Sequence, residues 1–397
     1  MQSPSNAQRE QLMTVPMSVS VSDLEANPHD LHARCREEHP VVHVPELDAF
    51  LVTRWDDVRA VCSKSAAFSS AQPNSSLTRL VGPNMLHSEG VDHRLARAAV
   101  LPAFRQPPAS LDDAWAQVSE ALPTNGVVDL LACGVEPLVS LALVHLLGLE
   151  RLVEAATMTR WGRALDAAAA DFGRDDAVAL ELAAVREEIG EVVSAFLLSA
   201  GDARPTSVLG CLLANGVREV APLSQAMQFM VLGGHSGPRE GLATVLALAV
   251  VAEDDVRERL SSDRLARRSF TEESLRWESP VGAVTRVARH DIVFKGVPLR
   301  SGTTVLGSLS SANRDPVKFQ VPHEVRPWRD EGPHLSFGAG AHGCMGAALT
   351  RWLAQPLLAG LNELGNVDLV AVPVWRGWWF RGPESLTIRV GSARSHT

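Results

Sequence analysis

One cysteine, Cys344, lies in surroundings that could make it a metal ligand. It ends the glycine-rich stretch that begins at Phe337 and directly precedes a helical pattern starting at Ala347. Glycines at positions 338 and 340 permit positive φ and close backbone approach to a flat ligand. Free N–H groups and the dipole of a helix start favour a thiolate, which suits axial metal ligation. On these features alone, however, a buried structural cysteine in a tight turn is the more common explanation.

Two further patterns place charged groups on one helical face. Glu273 and Arg276 are three residues apart, and His93 and Arg97 are four residues apart. Each spacing brings two side chains together on a helix, and the ordinary outcome is a surface pair worth roughly 0.2–0.5 kcal/mol. Neither pattern alone indicates a function.

Taken together, these patterns resemble the cytochrome P450 family. Residues 337–346 match every fixed position of that family's FGxGxHxCxG signature. In the family the cysteine sulfur is the proximal ligand of haem b, and its electron donation favours O–O cleavage. The resemblance implies that Cys344 is this ligand and that Phe337 packs beside the sulfur. It also implies that His342 approaches a haem propionate and that Gly346 belongs to the haem-binding loop.

The resemblance covers nearly the whole chain, from about residue 23 to residue 390. The Glu273–Arg276 pair matches the ExxR motif, and Arg329 matches the arginine of the family's meander loop that completes a buried structural network. His93 and Arg97 match a segment that binds haem propionates. Arg286 matches a further propionate-binding arginine, and cationic donors suit carboxylates.

Mainly helical elements are expected to position these residues. Helical spacing of apolar residues predicts helices at Leu130–Leu149, Asp176–Ser199, Pro222–Ala252 and Ala347–Leu364. Short strands are predicted at Val41–Val44, Phe50–Thr53, Ile292–Phe294, Val305–Ser308 and Leu386–Val390. The resemblance implies the cytochrome P450 fold, mainly α with small β-sheets, with haem between the Pro222–Ala252 helix and the helix after the cysteine loop. We predict one domain over residues 1–397, with residues 1–20 as a flexible tail.

Composition limits the classes of function. The 397 residues are 46% apolar and 21% charged, which is enough for a sizeable core. A net charge of −9 argues against a nucleic-acid-binding surface. The polar start and the absence of a long apolar run predict a cytoplasmic protein without a membrane anchor. Five cysteines without CxxC spacing indicate reduced thiols and no zinc site, and four of them are expected to be buried.

The chain departs from the family pattern inside the Pro222–Ala252 helix. Most members carry a Gly-x-acid-Thr sequence there, whose acid and alcohol deliver protons for O–O cleavage. Gly234 keeps the glycine, but Ser236 occupies the acid position and Gly237 the alcohol position. Pro238 follows and is expected to kink or widen the helix. We expect the catalytic consequences of the departure to centre on these positions.

Three hypotheses account for the departure. Water could replace the missing hydroxyl, so that the enzyme still hydroxylates. Alternatively, the substrate loses hydrogen or an electron without oxygen rebound, which gives coupling, dehydrogenation or ring closure. A third hypothesis is peroxide use, but Pro238-Arg239 is reversed and shifted relative to the Arg-Pro of such members. We favour the second hypothesis.

By resemblance, several segments line a substrate pocket. The expected lining residues are Met85, Leu86, Val231, Gly233, Ala283, Val284, Trp379 and Phe380. Residues 378–380 are three consecutive aromatics where family members commonly have aliphatic residues. They either fill the core of a β-turn or stack on an aromatic substrate. An aromatic pocket without the acid–alcohol pair resembles members that tailor natural products, among them a group that couples tryptophan-containing diketopiperazines.

The resemblance also implies partners and leaves alternatives open. Because no flavin or iron–sulfur domain is fused to the chain, a ferredoxin and its reductase are expected to deliver electrons, with O₂ as oxidant and a small aromatic molecule as substrate. Neither a nucleic acid nor a membrane is expected as a partner. The alternatives are conventional hydroxylation of a small natural product, a non-catalytic haem-binding protein, and a helical protein without haem.

Overall fold

The structure is a computed structural model that describes residues 17–72, 75–105, 111–171, 175–199, 203–364 and 366–391. Most of the predicted N-terminal tail, residues 1–16, lies outside the described residues. The prediction is wrong for residues 17–20, which pair with the chain near His43. The Val19 amide donates to the His43 carbonyl at 2.9 Å, and Val19 is buried. Alternating Met17 and Val19 give this segment the period of a strand, which lets it join the sheet edge.

Helices dominate the described chain, as predicted. They are α1 Val21–Ala26, α2 Pro28–Glu38, α3 Trp55–Ser63, α4 Ser76–Val81, α5 Gly90–Val100, α6 Leu111–Glu120, α7 Glu136–Leu147, α8 Ala155–Asp171, α9 Asp176–Leu198, α10 Val208–Ala214, α11 Val220–Val250, α12 Asp254–Ser262, α13 Arg264–Trp277, α14 Leu309–Ala312 and α15 Ala347–Gly360. The predicted helix at residues 130–149 divides into a π-helical turn, Leu131–Val135, followed by α7. None of the described helices combines the length and apolar character needed to cross a bilayer.

Small sheets flank the helices. The strands are β1 Val41–Val44, β2 Ala49–Val52, β3 Phe68–Ser69, β4 Gly126–Asp129, β5 Ala283–Ala288, β6 Ile292–Phe294, β7 Val297–Leu299, β8 Thr304–Ser308, β9 Asn366–Leu369, β10 Trp375–Arg376, β11 Gly382–Pro383 and β12 Thr387–Gly391. Among the described residues, the largest sheet has the order β1-β2-β8-β5-β3, with only β2 and β8 parallel. A second sheet has the order β4-β12-β9, and β6-β7 and β10-β11 are antiparallel pairs.

Helix α11 organises the main core. It packs against α7, α8, α9, α13 and α15, and it is apolar on most faces because neighbours surround it. Two smaller apolar clusters lie at the five-stranded sheet. The chain between α14 and α15, residues 313–346, contains only a short 3₁₀ turn and packs on this helical body. The fold therefore brings a long central helix and an irregular loop together on the same core.

Pro238 lies inside α11 without interrupting it. The helix is continuous over 31 residues from Val220 to Val250. Because proline has no N–H, the Gly234 carbonyl lacks its usual helical donor four residues later. The predicted disturbance therefore takes the form of one missing hydrogen bond within an unbroken helix.

Candidate active site

The cysteine loop is held by its own backbone and by glycine conformations. Gly338 and Gly340 have φ of 65° and 74°, which L-residues rarely adopt. A Cβ atom at Gly340 would lie 3.1 Å from Ser63 Cα, so α3 leaves no space for a side chain there. The Cys344 amide donates to the Phe337 carbonyl at 2.9 Å and closes the loop. The glycine pattern therefore fixes the position of the cysteine.

The Cys344 sulfur has the accessibility that a metal ligand needs. Its side chain is accessible although protein surrounds it on most sides. Burial raises the pKa of the thiol, while the N–H groups of Gly346 and Ala347 lower it. The expectation that the helix start alone favours a thiolate is therefore incomplete, because burial opposes it. The charges of Arg97 and Arg351 also lower the pKa of the thiol, and a metal cation at the sulfur would favour the thiolate further.

Phe337 packs between two basic side chains. The Arg351 guanidinium carbon lies 4.5 Å from the ring centroid, and the His334 ring centroid lies 5.7 Å away. Arg351 and His334 both hydrogen-bond the Glu272 carboxylate. Burial raises the pKa of Glu272, but these two partners outweigh it and bring the pKa to about 2. The predicted contact of Phe337 with the sulfur stays a prediction.

Four basic residues predicted to bind propionates come together beside the loop. The His93 and His342 ring centroids are 4.0 Å apart, and Arg97 Nη2 donates to the Gly343 carbonyl at 2.8 Å. Burial, then the charges of His93 and Arg286, lower the pKa of His342 to about 4. Arg286 is 5% exposed and donates to the Thr285 carbonyl.

This basic cluster lacks carboxylate partners. Within the described ranges, neither Arg97 nor Arg286 forms an ion pair with an Asp or Glu side chain. The nearby Glu89 is occupied by Arg289 and by the Ser70 amide. Buried cations without counter-charges are costly, so the cluster suits a ligand that carries carboxylates. The residues present thus fit haem, because they offer an accessible sulfur ligand and basic groups for two propionates.

The ExxR pair is buried and extends to the meander loop. Arg276 donates to both Glu273 oxygens, from Nε at 2.7 Å and from Nη2 at 2.9 Å. Arg329 Nε and the Arg326 amide donate to Glu273 Oε1 at 2.8 and 2.7 Å. Arg276 also donates to three backbone carbonyls of residues 313–324. The network joins α13 to the segment that leads into the cysteine loop.

Helix α11 presents its glycines to different neighbours. Gly233 is exposed, and a Cβ there would have no heavy atom within 4 Å, so it borders open space. A Cβ at Gly237 would lie 3.7 Å from Val281 Cγ2, an ordinary contact. At Gly234 a Cβ would lie 2.5 Å from Leu143 Cδ2 of α7. Gly234, predicted to be catalytic, is therefore a close-packing position, whereas Gly237 lies where a side chain would fit.

Ser236 is directed to a partner that the sequence gave no reason to expect. Its hydroxyl donates to Asp166 Oδ2 of α8, and His235 Nδ1 lies 2.8 Å from the same oxygen. His235 Nε2 lies 3.9 Å from Glu136 Oε1 of α7. No sequence motif marks Asp166 or Glu136, because they meet α11 only through helix packing.

The aromatic turn lies beside Gly237. Val281, which faces Gly237, forms a β-bridge with Phe380, and the Gly282 amide donates to the Trp379 carbonyl at 2.9 Å. The rings of Trp378 and Trp379 are edge-to-face at 5.4 Å. Trp378 is buried, whereas Trp379 is 37% exposed. Trp378 therefore fills the core, whereas stacking of the accessible Trp379 on an aromatic substrate stays a prediction.

The other predicted pocket residues divide in the same way. Leu86 is exposed, and Met85, Val284 and Phe380 are partly accessible. Val231 and Ala283 are 0% and 2% exposed, so the prediction that they line a pocket is wrong in this structure. Val231 is two residues from Gly233 and points to the opposite side of α11, and Ala283 alternates with Val284 along β5.

Known proteins are similar to this chain in sequence and in fold. The cytochrome P450 family model matches residues 264–361, which include the ExxR motif and the cysteine loop. Cytochrome P450 107B1 of Saccharopolyspora erythraea is 28% identical over 398 residues, covering 92% of this chain and 95% of that protein. Pulcherriminic acid synthase of Bacillus subtilis is 24% identical over 409 residues, covering 95% and 98%. The structure of CxnD, described as a cytochrome P450 enzyme for C–S bond formation in chuangxinmycin biosynthesis, superposes with a TM-score of 0.82 at 24% identity, covering 96% and 98%.

The fold, the cysteine loop and these relatives define a haem-thiolate oxidoreductase. The chain belongs to the bacterial cytochrome P450 family, whose cofactor is haem b with an axial cysteine thiolate. The predicted fold class is confirmed.

Proposed function

We propose that this chain is an O₂-dependent enzyme of bacterial secondary metabolism that joins or cyclises aromatic substrates by forming a C–C or C–N bond. Bound haem supplies the oxidising chemistry, and a ferredoxin with its reductase supplies electrons. Cys344 would provide the thiolate ligand of the haem, and the basic cluster of His93, Arg97, Arg286 and His342 would hold the propionates. A tryptophan-containing diketopiperazine is the proposed substrate.

The environment of Gly237 carries this proposal. Proton delivery normally uses a hydroxyl at this position and an acid one residue earlier. Here position 237 has no side chain, and Ser236 donates its hydroxyl to Asp166 of α8. The helix face beside the open space at Gly233 therefore lacks the alcohol that normally holds oxygen near a substrate. An oxidation in which substrate loses hydrogen, without gaining oxygen, fits this face.

The aromatic turn supports the choice of substrate. Trp379 and Phe380 are connected to the Gly237 region through Val281 and Gly282. An accessible tryptophan ring can stack on an aromatic substrate, and such pairs contribute about 0.5–1.5 kcal/mol beyond area burial. Because Gly237 has no side chain, it leaves room for at least a methyl-sized group beside Val281, close to this turn.

The name of one similar structure is consistent with bond formation. CxnD is described as an enzyme for C–S bond formation. Since its fold superposes over nearly the whole chain, the same architecture accommodates a bond-forming reaction in at least one protein. The reaction of the present chain rests on its own residues.

Product mass tests the proposal. The holoenzyme would be incubated with ferredoxin, reductase, NADPH and a tryptophan-containing cyclic dipeptide, with and without a nucleobase. We expect products that have lost two hydrogens, as dimers, cyclised monomers or nucleobase adducts. A product that has only gained one oxygen would replace coupling by hydroxylation. NADPH consumption that never responds to any substrate would instead indicate a binding protein.

The Cys344→Ala variant tests the ligand separately. Reduced wild-type protein with carbon monoxide should show the band typical of thiolate-ligated haem, and the variant should lose it. Retention of that band would show that another residue ligates the iron.

A further inference from the structure

A buried polar cluster lies where α7, α8 and α11 meet. His235 is 1% exposed, Ser236 is 7% exposed, and both hydrogen-bond Asp166 Oδ2. The Glu136 carboxylate is on the other side of the imidazole, with Oε1 3.9 Å from His235 Nε2. Two carboxylates, an imidazole and a hydroxyl thus form one group of side chains next to the open face of α11.

The helices are shaped to hold this cluster. A Cβ atom at Gly162 of α8 would lie 2.3 Å from His235 Cγ, so the imidazole occupies space that any other residue would fill. Gly162 precedes Asp166 by four residues and lies on the same face of α8. The glycine admits the ring, and the aspartate one turn later binds it. The arrangement is therefore built by two residues of α8.

Two atoms of the cluster are left without hydrogen bonds. His235 Nε2 and Asp166 Oδ1 are buried and have no partner among the described residues. An unsatisfied buried polar atom costs about 1–3 kcal/mol, so native structures keep few of them. A group that carries protons needs such atoms, because an atom without a hydrogen-bond partner is free to accept or release a proton.

The cluster also reaches solvent. The Asp166 side chain is 19% exposed, and the Glu136 carboxylate binds Arg163, which is 63% exposed. On the inner side, Ser236 follows Gly233 by three residues and therefore shares its face of α11, which borders open space. The Ser236 hydroxyl thus binds the Asp166 carboxylate and lies one helical turn from Gly233, which borders open space.

We propose that Asp166 supplies, from the neighbouring helix, the carboxylate that position 236 lacks. Protonated Asp166 gives its proton to Ser236 Oγ while Ser236 passes its own proton to O₂ that is being reduced with electrons from the ferredoxin. Asp166 then regains a proton that enters from the solvent side of the cluster, where the Asp166 side chain is 19% exposed, so one proton moves inward for each cycle. His235 and Glu136 position the Asp166 carboxylate. This inference goes beyond the proposed coupling reaction, because coupling and hydroxylation with O₂ both consume protons.

The first test uses a spectroscopic readout without substrate. The infrared stretching band of carbon monoxide on the reduced holoenzyme senses polar groups on the open side of the haem. Ser236→Ala and Asp166→Asn should shift this band. Glu188→Gln, which removes a carboxylate bound to Arg160 and Trp161 away from Ser236, should leave it in place. An unchanged band in Ser236→Ala would overturn the proposal, since the hydroxyl would not face the ligand.

The second test follows proton delivery during turnover. Asp166→Asn should slow O₂-dependent turnover by about 10²-fold, the low end for a positioned proton donor. It should also raise the solvent deuterium isotope effect and divert NADPH into hydrogen peroxide. Asp166→Glu should restore part of the rate, and Glu188→Gln should stay within about twofold of the wild type. An Asp166→Asn enzyme with the wild-type isotope effect and peroxide yield would also overturn the proposal.

Other charged groups lie around the cluster. Arg163 of α8 and Arg239 of α11 contact Glu136 of α7, and Glu240 of α11 interacts electrostatically with Asp166. If Asp166→Asn does not fold, Ser236→Ala and Asp166→Glu carry the same tests. Because the infrared experiment needs no substrate, it tests the role of Asp166 even if the protein does not couple diketopiperazines.

Discussion

Two carboxylates in this protein, Glu273 and Asp166, have opposite surroundings. Glu273 receives hydrogen bonds from Arg276, Arg329 and the Arg326 amide, so both of its oxygens are occupied. Asp166 binds His235 and Ser236 through one oxygen, and its other oxygen has no partner among the described residues. The fully hydrogen-bonded carboxylate, Glu273, joins segments of the fold. The partly hydrogen-bonded one, Asp166, lies beside the helix face where the chain departs from its family.

The difference separates architecture from chemistry. A fully paired buried charge network holds one geometry, and the loss of one member leaves an uncompensated charge. A partly paired cluster costs stability but leaves atoms that can exchange protons. The cysteine-loop side keeps the family's residues. The α11 side lacks the family's acid and alcohol at positions 236 and 237, and polar groups of α7 and α8 lie next to it instead. Variants on the two sides should therefore fail in different ways.

The largest effect is expected from breaking the Glu273 network. Glu273→Gln removes the charge that pairs with Arg276 and Arg329 and should lower the free energy of unfolding by about 3–5 kcal/mol. Asp166→Asn should cost only about 1–2 kcal/mol, as for loss of a hydrogen bond to a charged group. Urea unfolding of the holoproteins measures both.

Glu331→Gln is the matched control for Glu273→Gln. Glu331 also contacts Arg329, at 3.1 Å, but near the surface, so this change should cost about 1 kcal/mol or less. Equal losses for Glu273→Gln and Asp166→Asn would remove the distinction between the two carboxylates.

The product should respond to a hydroxyl restored on the α11 side. Gly237→Thr fits next to Val281 and replaces the missing alcohol, so we expect hydroxylated product to rise by several-fold, on the order of 1 kcal/mol in relative barrier. Gly237→Ala fills the same Cβ position without a hydroxyl and should leave the product ratio near that of the wild type. Mass spectrometry of the products distinguishes the two variants. Identical profiles for wild type and Gly237→Thr would show that the missing alcohol does not limit rebound.

A smaller effect is expected at the aromatic turn. Trp379→Leu should weaken binding of an aromatic cyclic dipeptide by about 2- to 10-fold, because stacking contributes about 0.5–1.5 kcal/mol. Trp375→Leu is the control, since Trp375 lies on the same hairpin but its ring packs edge-on against Trp277. Titration of the substrate-induced spectral shift measures both affinities. Equal weakening in both variants would assign Trp379 to packing.

The smallest effect concerns pH and the basic cluster. Burial, and then the Arg286 charge, lower the pKa of His87 to about 4. The unfolded chain takes up this proton near pH 6.5 and the folded chain only near pH 4, so His87 makes the fold less stable as pH falls through this window. His342 acts in the same direction.

His87→Asn should reduce that pH-dependent loss by on the order of 1 kcal/mol at pH 5, discounted for partial exposure. His290→Asn, at an exposed histidine, provides the control. Unfolding measured between pH 7 and pH 5 tests the slope. A slope in His87→Asn equal to that of the wild type would contradict the prediction.

Local patterns in the sequence were sufficient to predict the main features of the cysteine-loop side of the molecule. The glycines at 338 and 340, the ExxR spacing and the long apolar segments predict features that are local or that recur across the family. The sequence also identified Arg329, because its place in the meander loop is fixed relative to the cysteine.

Contacts between distant helices were not predictable in the same way. Asp166 is 69 residues from His235, and its partnership depends on Gly162 allowing two helices to approach. Val231 and Gly233 are two residues apart on a helix and therefore lie on opposite sides of it. The family resemblance alone did not show that Val231 faces away from the predicted pocket. Cys133 was expected to be buried with the other structural cysteines, but the π-helical turn exposes it.

That turn has a practical consequence for following cofactor loading. Cys35, Cys62 and Cys211 are buried, so Cys133 and Cys344 are the accessible thiols of the folded chain. Ligation to iron would withdraw Cys344 from alkylation and leave Cys133 reactive. Counting maleimide adducts on the intact protein should therefore distinguish loaded from empty molecules, one adduct against two, without any optical measurement.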